Sequence, residues 1–260
     1  MINQLVCLDP GRLTGTVALV TGASSGIGRA TALALAAQGA TVAVVARRAE
    51  RLSTLVAELQ AAGGRGLAIP ADLTSAAAAS AAVAAAVAEF GRLDTVVNAA
   101  GVMLTGDSVA APIEHWDRTV DINLRAVMYV VKAALPHLLE AVGSSPRAVA
   151  DVVNVSSVAG RVVFPQVALY HATKFAVTAA TDSWRQEYAA RNVRFSVIEP
   201  GYVDTELSLQ QEDTKAGYDQ LARDNELLAA DDIAGLIAYV VAAPRRVSIN
   251  ELVVRPTDLP

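Results

Sequence analysis

Short runs of β-branched and other apolar residues alternate along the chain with longer stretches whose apolar positions recur at helical spacing. The runs Val17–Thr21, Thr41–Ala46, Gly66–Pro70, Thr95–Asn98, 148–156, 194–198 and Glu251–Val254 read as strands. Helical patterns lie between them, near 27–38, 49–62, 74–90, 112–141, 167–191 and 230–242. Strict alternation of strand and helix predicts a doubly wound α/β fold, a parallel seven-stranded sheet with helices on both faces. The strands are nearly continuous in apolar character, as a sheet buried on both faces requires. The stretch 75–88 is almost all Ala, the best helix former, and reads as a packed helix. The one long stretch without a strong pattern is 206–229, polar and charged. In a compact domain such a stretch reads as a loop, here a candidate substrate lid.

Composition narrows the picture. Of the 260 residues 53% are hydrophobic and 18% charged, with a mean hydropathy of +0.38, which excludes intrinsic disorder. No linker rich in Pro, Gly or Ser divides 1–260, so a single domain is expected. The net charge of −5 leaves no basic face for a nucleic-acid backbone. The uncharged stretch 30–46 is interrupted at Gln38-Gly39 and reads as a helix followed by a strand, not a membrane span. The N-terminal stretch is too short in apolar residues for a signal sequence, and the expected location is cytoplasmic. Cys7 is the single cysteine, so neither an internal disulfide nor a Cys-based zinc site is available. His115, His137 and His171 have no zinc-binding spacing, and no metal is predicted.

After the first strand comes Thr21-Gly22-Ala23-Ser24-Ser25-Gly26-Ile27-Gly28, with a helix following at once. Glycines allow a tight turn and close approach to a phosphate, and the free N–H groups of a helix start favour an anion. The spacing is G-x-x-x-G-x-G rather than the usual G-x-G-x-x-G. Gly22-Ala23-Ser24-Ser25-Gly26 also satisfies the G-x-S-x-G elbow of hydrolases. That reading needs a late histidine, and none lies beyond His171. If the turn holds a dinucleotide, the end of the second strand meets the adenosine ribose. A carboxylate there accepts from the 2′-hydroxyl of NAD. This chain has Ala46 followed by Arg47 and Arg48, which suits the 2′-phosphate of NADP(H).

Tyr170 and Lys174 are four apart at the start of a predicted helix and so share one face. Of the 21 basic residues 18 are Arg, so a Lys at 174 suggests a need for a compact ammonium. Beside a phenol, such an ammonium is expected to lower its pKa and fit it for proton transfer.

These features together resemble the short-chain dehydrogenase/reductase family over nearly the whole chain. Thr21–Gly28 resembles the family's nucleotide turn, and Asp72-Leu73 its adenine contact. Asn98-Ala99-Ala100-Gly101 resembles its Asn-Asn-Ala-Gly motif, with Ala99 in place of the second Asn. The resemblance implies a single-domain Rossmann fold and a tetrad of Asn123, Ser157, Tyr170 and Lys174. In that scheme Tyr170 is the acid in carbonyl reduction and the base in alcohol oxidation. Ser157 binds the substrate oxygen, Lys174 holds the nicotinamide ribose and depresses the Tyr170 pKa, and Asn123 holds a proton-relaying water. Gly22, Ser24, Ser25, Gly26, Ile27, Gly28, Arg47, Arg48, Asp72, Leu73, Asn98, Ala99 and Gly101 would contact the cofactor, as would Tyr170 and Lys174. Pro200-Gly201-Tyr202-Val203-Asp204-Thr205 resembles the loop for the nicotinamide carboxamide, with Pro200, Gly201, Val203 and Thr205 as contacts.

The implied function is NADPH-dependent reduction of a small aldehyde or ketone. An NAD-linked alcohol or hydroxy-acid dehydrogenase and a non-catalytic cofactor sensor are the alternatives. The C-terminal stretch 247–258 is similar to a subgroup containing bacterial 3-hydroxy-acid dehydrogenases and clavulanic acid dehydrogenase. Val158, Val163 and Phe164 are expected to form an apolar pocket wall, with Arg161 available either to a substrate carboxylate or to solvent. His171 is expected at a helix surface or interface. The family implies a homo-oligomer, a tetramer or a dimer, built through the helices 112–141 and 167–191.

Overall fold

In the computed structural model, which describes residues 11–209 and 212–259, the first apolar run forms β1 (Val17–Thr21). Its side chains divide between two layers: Val17 and Leu19 enter one core, Ala18 and Val20 the other. β2 (Thr41–Ala46) repeats the division, with Ala43 and Val45 on the first side and Val42 and Val44 on the second. The two-residue period of a strand allows no other outcome once both faces are covered.

β3 (Gly66–Pro70), β4 (Thr95–Asn98), β5 (Ala150–Val155) and β6 (Val193–Pro200) follow. The short β7 (Val203–Asp204) and β8 (Leu228–Ala229) pair with each other, and β9 (Glu251–Val254) closes the main sheet. That sheet is wholly parallel, in the order β3-β2-β1-β4-β5-β6-β9. One face is covered by α1 (Gly26–Ala37), α2 (Ala49–Ala61) and α8 (Ala230–Ala242), through residues such as Leu35, Leu55 and Ile237. The other is covered by α3 (Ala76–Phe90), α5 (Ala126–Ser144) and α6 (Ala168–Tyr188), through Val83, Val131 and Val177. Strand order reverses between β1 and β4. Ligands of open α/β sheets bind at such a point, outside the carboxyl ends of the strands.

Two sequence expectations need correction. The helix expected over 112–141 is α4 (Ile113–Val120), a π-helical turn (Asp121–Arg125) and then α5. In the turn the Ala126 N–H reaches back five residues to the Asp121 carbonyl. A π turn keeps the same hydrophobic period nearby, so the pattern conceals it. The stretch 206–229 is not a plain loop: it holds a 3₁₀ turn (Glu206–Leu209), α7 (Glu212–Asp224) and β8. α7 is too polar for its periodicity to register. Cys7 lies outside the described residues, as do 210 and 211 of the candidate lid.

Among the described residues, the run Ile113–Ser144 alone is long and apolar enough to cross a membrane by length and composition. Its apolar side is occupied: Val127, Val130, Val131, Ala134 and Leu138 pack into the core with α3 and the sheet.

Candidate active site

A cleft of about 580 Å³ opens at the carboxyl ends of β1, β2, β4, β5 and β6. Its floor is the glycine turn. Gly22 has φ +67°, and a Cβ there would stand 2.7 Å from the Ala100 backbone nitrogen. A Cβ on Gly28 would stand 2.6 Å from the Gly22 carbonyl oxygen. The turn after β1 and the turn after β4 therefore touch through backbone, which only glycine permits. Thr21 fixes the contact from beneath: its Oγ1 accepts the N–H groups of Ala99 (3.1 Å) and Ala100 (3.3 Å).

Ser25 caps α1 with extended backbone and makes no side-chain cap, and no acid lies in the first turn. The first N–H groups of this helix thus have no side-chain partner from the cap and lie beside the cleft-lining Ser24, Ser25, Gly26, Ile27 and Gly28. That is the local condition for holding a phosphate.

Arg47 and Arg48 line the far end of the cleft, together with Asp72, Leu73 and Arg118. The Asp72 carboxylate accepts the backbone N–H (3.1 Å) and hydroxyl (2.8 Å) of Thr74. These bonds hold its pKa below the usual carboxylate range, aided by the charges of Arg47 and Arg118. Arg48 donates to Ser24 and Ser25 and to the Glu206 carboxylate. Arg118 and Glu206 carry no motif that would single them out in the sequence. Only the fold brings 118 and 206 to the end of β2.

At the other end stand Ser157, Tyr170 and Lys174, all buried and all lining the cleft. α6 presents Tyr170 and Lys174 on one face, and the ammonium lies 5.5 Å from the centre of the phenol ring. Ser157 follows β5 by two residues and, with φ −171°, starts a 3₁₀ turn (Val158–Gly160). Its hydroxyl accepts the Ala159 N–H (3.1 Å) and donates to the Pro200 carbonyl (3.3 Å). Burial pushes the Tyr170 pKa up, and a hydrogen bond with Ser157 opposes this in part. Burial pushes Lys174 down to about 8. The expected lowering of the phenol by the ammonium is therefore not the dominant effect at this site; desolvation is. Lys174 donates to the Val155 carbonyl at 3.0 Å, leaving two of its three N–H bonds for other partners.

Two expected site residues are placed differently. Asn123, in the π turn, spends both amide protons on the Val102 carbonyl (2.8 Å) and Thr173 (3.3 Å), and its oxygen accepts the Val102 N–H (2.8 Å). Its side chain fixes the wall next to Gly101, and its amide protons are not free for a water. Asn98 does not line the cleft: its amide donates to Asn154 at 2.8 Å, between β4 and β5. The remaining expected contacts, Ala99, Gly101, Pro200, Gly201, Val203 and Thr205, all line the cleft.

Around this core the structure alters other expectations. Arg161 is ion-paired with Glu199 and Glu251, so it is not a loose cation awaiting a substrate. Val163 and Phe164 are 71% and 56% exposed and lie outside the cleft lining. His171 is buried rather than at the surface.

The short chain dehydrogenase family model matches residues 16–216. The chain is 36% identical over 260 residues to glycine betaine reductase ATRR of Emericella nidulans, covering 99% of this chain but only 20% of that much longer protein. An oxidoreductase of Staphylococcus saprophyticus is 35% identical over 247 residues, covering 93% of this chain and 96% of its own. A short chain dehydrogenase from Burkholderia cenocepacia, solved in complex with NADP, superposes with a TM-score of 0.81 at 33% identity, over 94% of this chain and 98% of that one. With the glycine turn, the switch-point cleft and the Ser157, Tyr170 and Lys174 group in one place, the chain belongs to the short chain dehydrogenase family and is an oxidoreductase of that type.

Proposed function

We propose that the protein is an NADP(H)-dependent reductase that converts a small aldehyde or ketone to its alcohol, reversibly, with Tyr170 as proton donor. The observation that carries this reading is the content of one cleft: Arg47 and Arg48, rather than an acidic residue, directly after Ala46 of β2, and Ser157, Tyr170 and Lys174 at the opposite end. The cofactor, when bound, supplies the hydride. The side-chain-uncapped start of α1 would take its pyrophosphate, and Arg47 and Arg48 its 2′-phosphate. The two unspent N–H bonds of Lys174 would hold ribose hydroxyls.

On the substrate side the chain's own groups do the work. The buried phenol of Tyr170 keeps its proton at neutral pH and gives it to the substrate oxygen as charge builds there. Ser157 would turn its one hydroxyl proton from the Pro200 carbonyl to the same oxygen, while its own oxygen keeps accepting the Ala159 N–H. The Val102 wall, fixed by Asn123, and Leu207 limit the space beside them. Because Arg161 is engaged by Glu199 and Glu251, a neutral carbonyl compound suits the site better than a hydroxy acid. The NADP complex of the Burkholderia cenocepacia relative and the reductase name of the Emericella nidulans relative support the reading. We also assign the chain to a homo-oligomer, a dimer or tetramer formed through α5 and α6; Phe175 on α6 is 42% exposed. A monomer mass from light scattering removes that assignment.

The test is a fluorescence titration with NADPH and NADH side by side, followed by a screen of aldehydes and ketones under reducing conditions. Tighter NADPH binding with carbonyl turnover is expected. Tighter NADH binding overturns the cofactor assignment, and failure to bind either overturns the whole reading.

A further inference from the structure

Glu206 opens the turn after β7, and its carboxylate binds two arginines from the segment after β2, 158 and 155 residues away in sequence. One oxygen accepts from Arg48 Nη1 at 2.8 Å and the other from Arg51 Nη1 at 2.5 Å. The rest of the Arg48 fork is spent on the turn that begins α1: Nε and Nη2 donate to Ser24 (3.0 and 2.9 Å), and Nη2 to Ser25 (2.8 Å). Arg48 thus joins three parts of the cofactor cleft: the glycine turn, the end of β2 and the start of the 206–229 stretch.

Four arginines, 47, 48, 51 and 118, gather at this end, with Asp72 and Glu206 as the nearby acids. Asp72 is turned to Thr74, so Glu206 is the acid in direct contact with arginine. A guanidinium fork takes a carboxylate or a phosphate in the same way, and a phosphate monoester carries more charge. The pair is also easily exchanged. Arg48 and Glu206 side chains are 44% and 43% exposed, and ion pairs this open to water hold weakly. Next to Glu206, Thr205 packs on the glycine turn: a Cβ on Gly26 would stand 3.1 Å from its methyl group. The acid is therefore carried by a segment seated on the phosphate-binding turn itself.

We propose that Glu206 is a built-in competitor for the cofactor's 2′-phosphate, holding Arg48 and Arg51 before the dinucleotide arrives and yielding them to the phosphate. Glu206 then sets how tightly a 2′-phosphorylated adenosine is held relative to an unphosphorylated one. It also ties the cofactor's charge to the 206–209 turn, which loses its two arginines when the phosphate takes them. The inference rests on the cleft's being an NADP(H) site.

The test is calorimetric titration of the full chain with adenosine 2′,5′-bisphosphate and with adenosine 5′-monophosphate. Glu206→Gln should bind the bisphosphate about three- to tenfold tighter, within the range expected from releasing two exposed ion pairs, and the monophosphate unchanged within about twofold. Glu58→Gln makes the same charge change at an acid paired to Arg29, outside the cleft lining, and should change neither. Unchanged or weaker bisphosphate binding by Glu206→Gln overturns the proposal, because Glu206 would then be positioning the arginines. An equal gain for both ligands, or the same gain from Glu58→Gln, overturns it as a general charge effect. The cofactor reading fails separately, if the unaltered protein binds NADH as tightly as NADPH; a Glu206→Gln gain confined to the bisphosphate would still uphold the exchange.

Discussion

His171 Nε2 accepts the backbone N–H of Phe164 at 2.9 Å, seven residues back along the chain. An accepting Nε2 puts the ring proton on Nδ1, which donates to the Ala159 carbonyl at 2.9 Å. One buried imidazole, beside Tyr170, thus holds both ends of the loop 159–164 that follows Ser157. The Phe164 ring leans on it at 5.5 Å between centroids. His171→Leu removes both bonds and leaves the buried Ala159 carbonyl and the part-buried Phe164 N–H without this partner, a loss of about 1–3 kcal/mol. For a chain of this size that lowers Tm by several degrees. The specific expectation is a several-fold rise in KM for the carbonyl substrate with NADPH affinity unchanged, because the loop lies outside the cleft lining and reaches the site through the Ala159 N–H bond to Ser157. Cofactor affinity falling in step with KM would make His171 a general fold residue.

Tyr170→Phe removes the proton donor but little packing. Ser157 keeps its bonds to Ala159 and Pro200, so the fold should stand. Turnover should fall by about 10²–10⁴, the usual worth of a positioned acid. Titration with NADPH should give an unchanged dissociation constant. A variant that keeps its turnover would show that another group delivers the proton.

The fold was legible because the strands are buried on both faces. Val17–Thr21, Thr41–Ala46 and Thr95–Asn98 are apolar blocks with sharp polar or glycine boundaries, and the structure ends them where the sequence does. The π turn at Asp121–Arg125 was not legible, since one extra residue in a helical turn hardly disturbs an apolar stripe. α7 stayed hidden because its few apolar positions, such as Tyr218, serve a small local contact: its hydroxyl donates to the Val203 carbonyl at 2.9 Å. In the site, local signals such as the glycine turn and the Tyr170/Lys174 spacing were plain. What escaped depends on distant pairing. Arg161 looked free because Glu199 and Glu251 are 38 and 90 positions away, and Asn98 looked like a ligand because Asn154 lies on the neighbouring strand.

Lys174 makes stability depend on pH in a definable window. Burial lowers its pKa from 10.5 to about 8, so between those values the unfolded chain holds a proton that the folded chain has released. Stability therefore rises with pH across that window, by up to about 1.4 kcal/mol per pH unit from this group. Below about pH 8 both states carry the proton, and the disadvantage of the buried ammonium is constant. Lys174→Met should lack this slope while also losing activity. Urea unfolding of both proteins at pH 7, 8, 9 and 10 measures the difference, and parallel curves would mean that Lys174 titrates as an exposed lysine does.

Glycine substitutions separate close backbone approach from mere flexibility. An alanine at 28 would put its Cβ 2.6 Å from the Gly22 oxygen, 2.7 Å from its carbonyl carbon and 2.9 Å from the Thr21 oxygen. All three atoms are backbone and cannot swing aside, so the turn after β1 must shift, at a cost of about 1–3 kcal/mol. The same shift moves the start of α1, so Gly28→Ala should also lose most NADPH affinity. Gly235 is the control. It lies on the exposed side of α8, at ordinary helical φ, and a methyl group added there would meet nothing within 4 Å. Gly235→Ala should raise stability by about 0.5–1 kcal/mol through helix propensity alone, with cofactor binding unchanged. Thermal unfolding and NADPH titration of the two variants check both halves. If Gly28→Ala binds NADPH normally, the close approach of the α1 start to the turn after β1 does not shape the phosphate site.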